Sequence, residues 1–112
     1  MAALDKIFTK NKTEILIALV QELPVIWNKD AEGHGLHTLR RSLWEGIAHD
    51  LGGPAKGFTA KLCDKKWKGL RDTFRQKRKE LKGKTGQEAK RIRAWRWYKQ
   101  LLWLVPYLGI RE

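Results

Sequence analysis

Residues 58–82 read FTAKLCDKKWKGLRDTFRQKRKELK, and this stretch decides the fold. No proline interrupts it and Gly83 supplies a stop, so it predicts one long helix over residues 59–82. The hydroxyl of Thr59 is a suitable acceptor for an unpaired amide in the first turn. At about 100° per residue, its apolar side chains fall on a single face. That face holds Leu62, Cys63, Trp67, Leu70, Phe74 and Leu81.

The opposite face of this predicted helix is basic. Asp72 lies among the basic residues, and Arg71 and Arg78 lie on its flank. A helix with one apolar face and an opposite face of Lys and Arg is typical of a helix that packs on a small core and binds a polyanion. The basic members of the face are Lys61, Lys65, Lys68, Arg75 and Lys79.

The positive charge is concentrated in one segment. The chain has 24 Lys and Arg against 12 Asp and Glu, a formal net charge of +12. Residues 61–99 hold 16 of the basic side chains and only four acids, and the remainder of the chain balances at eight of each. An ordinary solvated face would explain basic residues, but solubility alone would scatter them. A phosphate-binding face concentrates them.

Composition predicts one intracellular domain with a packed core. The 112 residues include six tryptophans, which need a folded interior, and one cysteine, which excludes an intramolecular disulfide framework. Cys63 is expected to be a small core residue. The N-terminus has charges where a signal peptide needs an apolar stretch, and no run reaches the ~18–20 residues of a membrane span. The basic cluster at 75–84 could double as a nuclear-import signal.

Two further helices are predicted before the basic one. Residues 1–12 are interpreted as a polar leader, and Thr13 as the cap of a helix that Pro24 ends. Asn, Asp, Gly and His over 28–37 indicate a loop. The next helix covers residues 38–51 and stops at Gly-Gly-Pro. Its apolar side is Leu39, Leu43, Trp44, Ile47 and Leu51.

The C-terminal part is predicted to close the core. The segment 83–93, GKTGQEAKRIR, is expected to be mobile at least in part, and residues 94–104 to form a fourth helix. Trp103 falls on its polar side, so it is either an exposed aromatic or a sign that the helix has unwound there. The predicted core is Leu19, Trp27, Trp44, Ile47, Trp67, Leu70, Phe74, Trp97 and Leu101.

Four ordered motifs carry a family resemblance. They are ILIALVQELPVIWNK, LRRSLWEGIAHDLG, CDKKWKGLRDTFRQKRKEL and WRWYKQLLWLVPYL. Together they resemble the MADF domain, a Myb/SANT-like family of DNA-binding modules, over residues 13–108, with 109–112 left as a tail. The resemblance implies an all-α fold, with a tri-helical core of helix-turn-helix type and an additional C-terminal helix. It also implies a nuclear regulator of transcription or chromatin that uses no cofactor.

The resemblance also implies roles for individual side chains. Docked in the manner of Myb domains, the third helix would lie in the major groove, with Lys65 and Lys68 at base edges or the nearest phosphates. Asp72 would accept from a cytosine amino group or hold a neighbouring arginine in position. The expected DNA-binding residues are Lys61, Lys65, Lys68, Arg71, Asp72, Arg75, Arg78, Lys79 and Lys82. Backbone contacts are expected from Lys84, Lys90, Arg91 and Arg93.

Other chemistries find little support in the sequence. The tryptophans and Tyr98 could stack on single-stranded bases, but their spacing at helix-core positions favours packing. His34, His37, His49 and Cys63 fit no common zinc-ligand spacing, so no metal site is predicted. No phosphate loop, nucleophile–base pair or paired carboxylate indicates an enzyme with a small-molecule substrate.

The rival hypothesis is a protein-interaction module that recruits a chromatin or transcription partner. SANT-type domains that bind basic histone tails need an acidic surface. The acids outside the basic segment are mixed with bases and form no run, so double-stranded DNA is the preferred partner. These acids include Glu22, Asp30, Glu32, Glu45 and Asp50.

Overall fold

The computed structural model describes residues 6–108, and within that range every regular element is helical, as predicted. The chain divides into two compact units, residues 1–67 and 68–112. The α-helices are α1 (Lys10–Gln21), α2 (Pro24–Trp27), α3 (His37–Leu51), α4 (Ala60–Leu81) and α5 (Gly86–Arg93). Two 3₁₀ helices cover Pro54–Lys56 and Lys99–Tyr107. The predicted tail at 109–112 lies outside the described residues.

In the first unit, α1 begins one turn earlier than predicted. Its N-cap is Thr9, whose Oγ1 accepts from the Lys12 amide at 3.3 Å. Thr13, the predicted cap, is instead buried, and its hydroxyl donates to the Phe8 carbonyl at 3.3 Å. Phe8 is also buried, with its ring edge-on to that of Phe58 at a centroid distance of 5.4 Å. A threonine one turn inside a helix satisfies its hydroxyl on a backbone carbonyl, which the sequence pattern does not distinguish from capping.

Pro24 lies at the boundary between two helices, α1 and the short α2. α1 ends at Gln21, and the proline occupies the first turn of α2, where its missing N–H costs nothing. The indole Nε1 of Trp27 donates to the Val20 carbonyl at 2.8 Å, which joins α2 to α1. Trp27 and Leu19 are only half-buried, so these two predicted core residues lie at its edge.

α3 packs against α1 through the inner side of each helix. Trp44, Ile47 and Leu51 are buried, whereas Leu39, which was predicted to face inward, is exposed. Gly52 ends the helix with a φ of 142°, a conformation that favours glycine. Nζ of Lys12 donates to the Leu51 carbonyl at 2.7 Å, so a cation from α1 caps the negative end of α3.

In the second unit, the glycine-containing segment is more regular than predicted. Residues 86–93 form α5, a helix that the sequence did not predict. Gly83 precedes the helix and Gly86 is its first residue, so neither glycine interrupts it. Lys84 pairs with Glu88 in the first turn at 3.4 Å, Ala89 is buried, and the basic residues of the last turn complement the helix dipole.

The predicted α-helix over 94–104 is also wrong. Residues 94–98 form turns, and a 3₁₀ helix follows at Lys99–Tyr107 with Pro106 inside it. Tyr98, Leu101 and Leu104 are buried at every third position, which matches three residues per turn. Trp103 is half-buried. The alternative that its position marks departure from a regular α-helix is therefore the correct one.

Candidate nucleic-acid interface

α4 has the register that its sequence predicts. The Leu62 amide donates to Oγ1 of Thr59 at 3.2 Å, so Thr59 caps the helix. The buried positions follow at spacings of four, three and four residues, while Leu62 and Leu81 are half-buried. This spacing turns the opposite side of the helix towards solvent. The buried side chains are Cys63, Trp67, Leu70 and Phe74.

The solvent side of α4 carries a continuous row that we call the basic stripe. It spans about 27 Å along the helix at 1.5 Å per residue. Every member is exposed except Arg75, which is half-buried. Five of its six side chains are positively charged, and the sixth is the carboxylate of Asp72. The stripe consists of Lys61, Lys65, Lys68, Asp72, Arg75 and Lys79.

Asp72 sits between two arginines at the centre of the stripe. Its Oδ1 accepts from both Nε and Nη2 of Arg71 at 3.1 Å, and Nη1 of Arg75 lies 4.0 Å away. Of the two roles that the sequence left open for Asp72, these contacts match the one in which it holds a neighbouring arginine. The carboxylate also offsets part of the repulsion between the two guanidinium groups.

Arg78 is placed differently from the stripe. Its Nη1 donates to the hydroxyl oxygen of Tyr98 at 3.1 Å, and the Tyr98 ring stands 5.3 Å from that of Phe74. Arg78 is half-buried, so part of its donor capacity is committed to the second unit's own packing. Lys82 follows the last residue of α4 and is exposed.

α5 and its flanks supply a second set of exposed cations. Lys84 precedes the helix and Arg93 ends it, and Lys90 and Arg91 lie in its last turn. All four are exposed. Arg96, which belongs to the 90–96 cluster expected to track the DNA backbone, and Lys99, which entered only through the net charge, are exposed immediately beyond the helix. The helix therefore holds Lys90, Arg91 and Arg93 close together, which a disordered segment would not do.

Lys66, a lysine of the basic segment, contacts the hydrophobic core. Nζ of Lys66 lies 5.9 Å from the centroid of the Phe8 ring, on the inner flank of α4. Its half-buried position follows from the helical register, which separates it from the stripe. Sequence reasoning assigned no role to this pair because the two residues lie far apart along the chain.

The described part of the chain shows neither a metal-binding cluster nor a membrane-spanning helix. Residues 6–108 hold no cluster of three His, Cys, Asp or Glu side chains that could bind a metal ion. Over the same range, no helix combines the length and apolarity needed to cross a membrane. Nδ1 of His34 lies 2.7 Å from the Val25 carbonyl. Burial raises the pKa of the Cys63 thiol to about 11, which keeps it protonated and unreactive at neutral pH.

Comparison with known proteins identifies a family for most of the chain. The family model for the MADF DNA-binding domain, described as alcohol dehydrogenase transcription factor Myb/SANT-like, matches residues 16–104. Searches of curated proteins and of solved structures found no match. The matched range includes α3, all of α4 with its basic stripe, and α5. The chain therefore belongs to the MADF family of Myb/SANT-like DNA-binding domains.

Proposed function

We propose that this chain binds double-stranded DNA sequence-specifically, with the exposed side of α4 in the major groove. The observation that carries the proposal is the basic stripe, in which cations occupy the solvent side of one helix while its opposite side is buried. Membership in a family of DNA-binding domains supports DNA as the partner and a role other than catalysis. In this proposal the protein acts in the nucleus as a regulator of transcription or chromatin.

The dimensions of α4 suit this role. An α-helix with its side chains is about 10–12 Å wide, and the major groove is about 12 Å wide. A straight helix of 22 residues is about 33 Å long, so only part of it can stay in the groove of curving DNA. The first half of the stripe, with Lys65 and Lys68, is assigned to the groove. Lys79 and Lys82 are assigned to flanking phosphates.

The cations divide into three groups by the part of the DNA that each is proposed to contact. Lys61, Lys65, Lys68, Arg71 and Arg75 are proposed to contact base edges or the phosphates that line the groove. Arg78, Lys79 and Lys82 continue the contact along α4. The backbone set comprises Lys84, Lys90, Arg91 and Arg93, which add affinity without reading sequence.

Selection from a random duplex library, followed by sequencing, tests sequence specificity. Lys68→Ala should weaken binding to the selected site more than binding to random duplex, because removal of a base contact costs about 1–3 kcal/mol. Lys29→Ala is the matched control, since this lysine is exposed and lies outside the basic segment. Equal losses on both DNAs would mean that α4 supplies only charge.

A protein-interaction module remains the second candidate, and one surface feature favours it. Leu36, which precedes α3 as its N-cap residue, is 60% exposed, and Leu39, in the first turn of α3, is 37% exposed. A protein partner would cover these side chains, whereas DNA would not. Leu36→Ser with Leu39→Ser should leave DNA affinity unchanged if DNA is the primary partner. If wild-type protein binds no duplex at low salt, the DNA proposal fails and this second function stands.

A further inference from the structure

We infer that Asp72 is a positioning residue that presents Arg71 to a guanine base. This inference rests on the proposed function and assigns the chemistry of one position in the recognition site. Among the described residues of the basic stripe, Asp72 carries the only negative charge, and its side chain is 61% exposed. A surface selected only for phosphate affinity gains nothing from a carboxylate at its centre.

The two hydrogen bonds determine which part of Arg71 remains available. The guanidinium group has five N–H donors in a rigid plane. Nε and one hydrogen of Nη2 are directed at Oδ1 of Asp72, both at 3.1 Å. The outer edge, made of Nη1 and the second hydrogen of Nη2, makes no hydrogen bond to the described residues, and the Arg71 side chain is 34% exposed. This edge can therefore act as a parallel pair of donors.

That outer edge matches the acceptors of one base. Guanine presents O6 and N7 to the major groove as two adjacent acceptors, and bidentate arginine is their commonest specific partner. Fixing the side chain before binding also reduces the rotamer entropy that the contact would otherwise cost. The guanidinium is held in place by a neighbour, which a lysine at this position could not reproduce.

Asp72 also discriminates between bases and phosphates. Its charge repels a phosphate oxygen that approaches Arg71, whereas the acceptors of guanine are neutral. Arg75, whose Nη1 lies 4.0 Å from Oδ1, is drawn towards the same carboxylate from one turn further along α4. The carboxylate therefore lowers affinity for random DNA while it strengthens readout at one base pair.

Substitution of 7-deazaguanine for each guanine of the selected duplex tests the inference, because it removes N7 and leaves base pairing intact. Wild-type protein should lose about fivefold or more in affinity at one position. Asp72→Ala should lose most of that penalty and should bind random duplex more tightly than wild type. Asp72→Asn keeps an acceptor oxygen without the charge, so its 7-deazaguanine penalty and its affinity for random duplex should lie between those of wild type and Asp72→Ala.

Glu80→Ala is the matched control, because Glu80 is an exposed carboxylate on the same helix whose Oε1 accepts from Nε2 of Gln76 at 3.4 Å. It should keep the full 7-deazaguanine penalty. The inference is overturned if Asp72→Ala and Glu80→Ala behave alike, or if no guanine in the selected site is sensitive. The 7-deazaguanine substitutions tested with wild-type protein show whether any guanine is sensitive, even if a variant folds poorly. Absence of wild-type binding to every duplex would instead overturn the proposed function and this inference with it.

Discussion

Nη1 of Arg78 donates a hydrogen bond to the hydroxyl oxygen of Tyr98 at 3.1 Å, and the Tyr98 ring packs edge-on against Phe74. Tyr98 is buried, so its hydroxyl needs a hydrogen-bond partner within the protein. That partner is Arg78, which the sequence analysis assigned to DNA binding. The basic side of α4 is therefore not uniform. Its exposed stripe faces solvent, while an arginine on its flank joins α4 to the C-terminal segment of the second unit.

Tyr98→Phe should destabilise the protein by about 0.5–1.5 kcal/mol, because it removes this hydrogen bond and keeps the ring packing. Urea unfolding followed by circular dichroism measures the change. A double-mutant cycle with Arg78→Met isolates the pair, because it subtracts whatever each side chain contributes on its own. If the losses from Tyr98→Phe and Arg78→Met were simply additive in the double variant, the hydrogen bond between them would contribute no stability.

Trp67→Ala should cost about 3–5 kcal/mol, because Trp67 is 2% exposed and truncation leaves a large cavity. Such a loss is a large part of the stability of a small domain. Lys65→Ala, on the exposed side of the same helix, should change stability by less than about 0.5 kcal/mol. A Trp67→Ala melting temperature equal to that of wild type would contradict the orientation of α4.

Cys63 should make stability fall at alkaline pH. The thiol of an unfolded chain ionises at about 8.5, whereas burial raises the pKa of Cys63 in the folded protein to about 11. Below pH 8.5 both states hold the proton, so the contribution is complete, and it is lost as pH rises towards 11. Urea unfolding between pH 8 and 11 should show a steeper decline for wild type than for Cys63→Ala. Identical slopes would contradict the burial of an ionisable thiol.

The replacement of Lys90 and Arg91 by alanine should weaken binding to the selected site and to random duplex about equally. These exposed residues of α5 are assigned to phosphates, which carry no sequence information. The slope of log K against log salt should become shallower by roughly 0.9 for each phosphate that is no longer neutralised. Fluorescence anisotropy over a salt series measures both quantities. A larger loss of affinity on the selected site would place α5 among the base-reading elements.

Helical periodicity was sufficient to predict α4. Its register, its cap at Thr59 and the burial of Trp67, Leu70 and Phe74 follow from local spacing and one hydroxyl. The separation of the stripe from the buried side follows from the same period. This part of the candidate interface could be predicted because it depends on one continuous element.

Features that depend on contacts between distant residues could not be predicted in the same way. The burial of Phe8 against Phe58 and the Lys12 cap on Leu51 join segments that no local pattern links. The 3₁₀ helix that contains Trp103 was misread because apolar residues are dense enough there to fit several periods. α5 was missed because glycines just before and at the first residue of a helix give the same signal as glycines that break one.

The salt dependence of binding to a random duplex tests the role of the basic stripe most directly. The test protein replaces Lys61, Lys65 and Lys68 by alanine. The control replaces Lys10, Lys29 and Lys56, three exposed lysines outside the charged segment, so both proteins lose the same formal charge. If the stripe binds DNA, the test protein should lose affinity, and its slope of log K against log salt should become shallower by about 0.9 for each phosphate released, with the control close to wild type. Equal affinities and equal slopes for the two triple variants would contradict the claim that the basic stripe binds DNA.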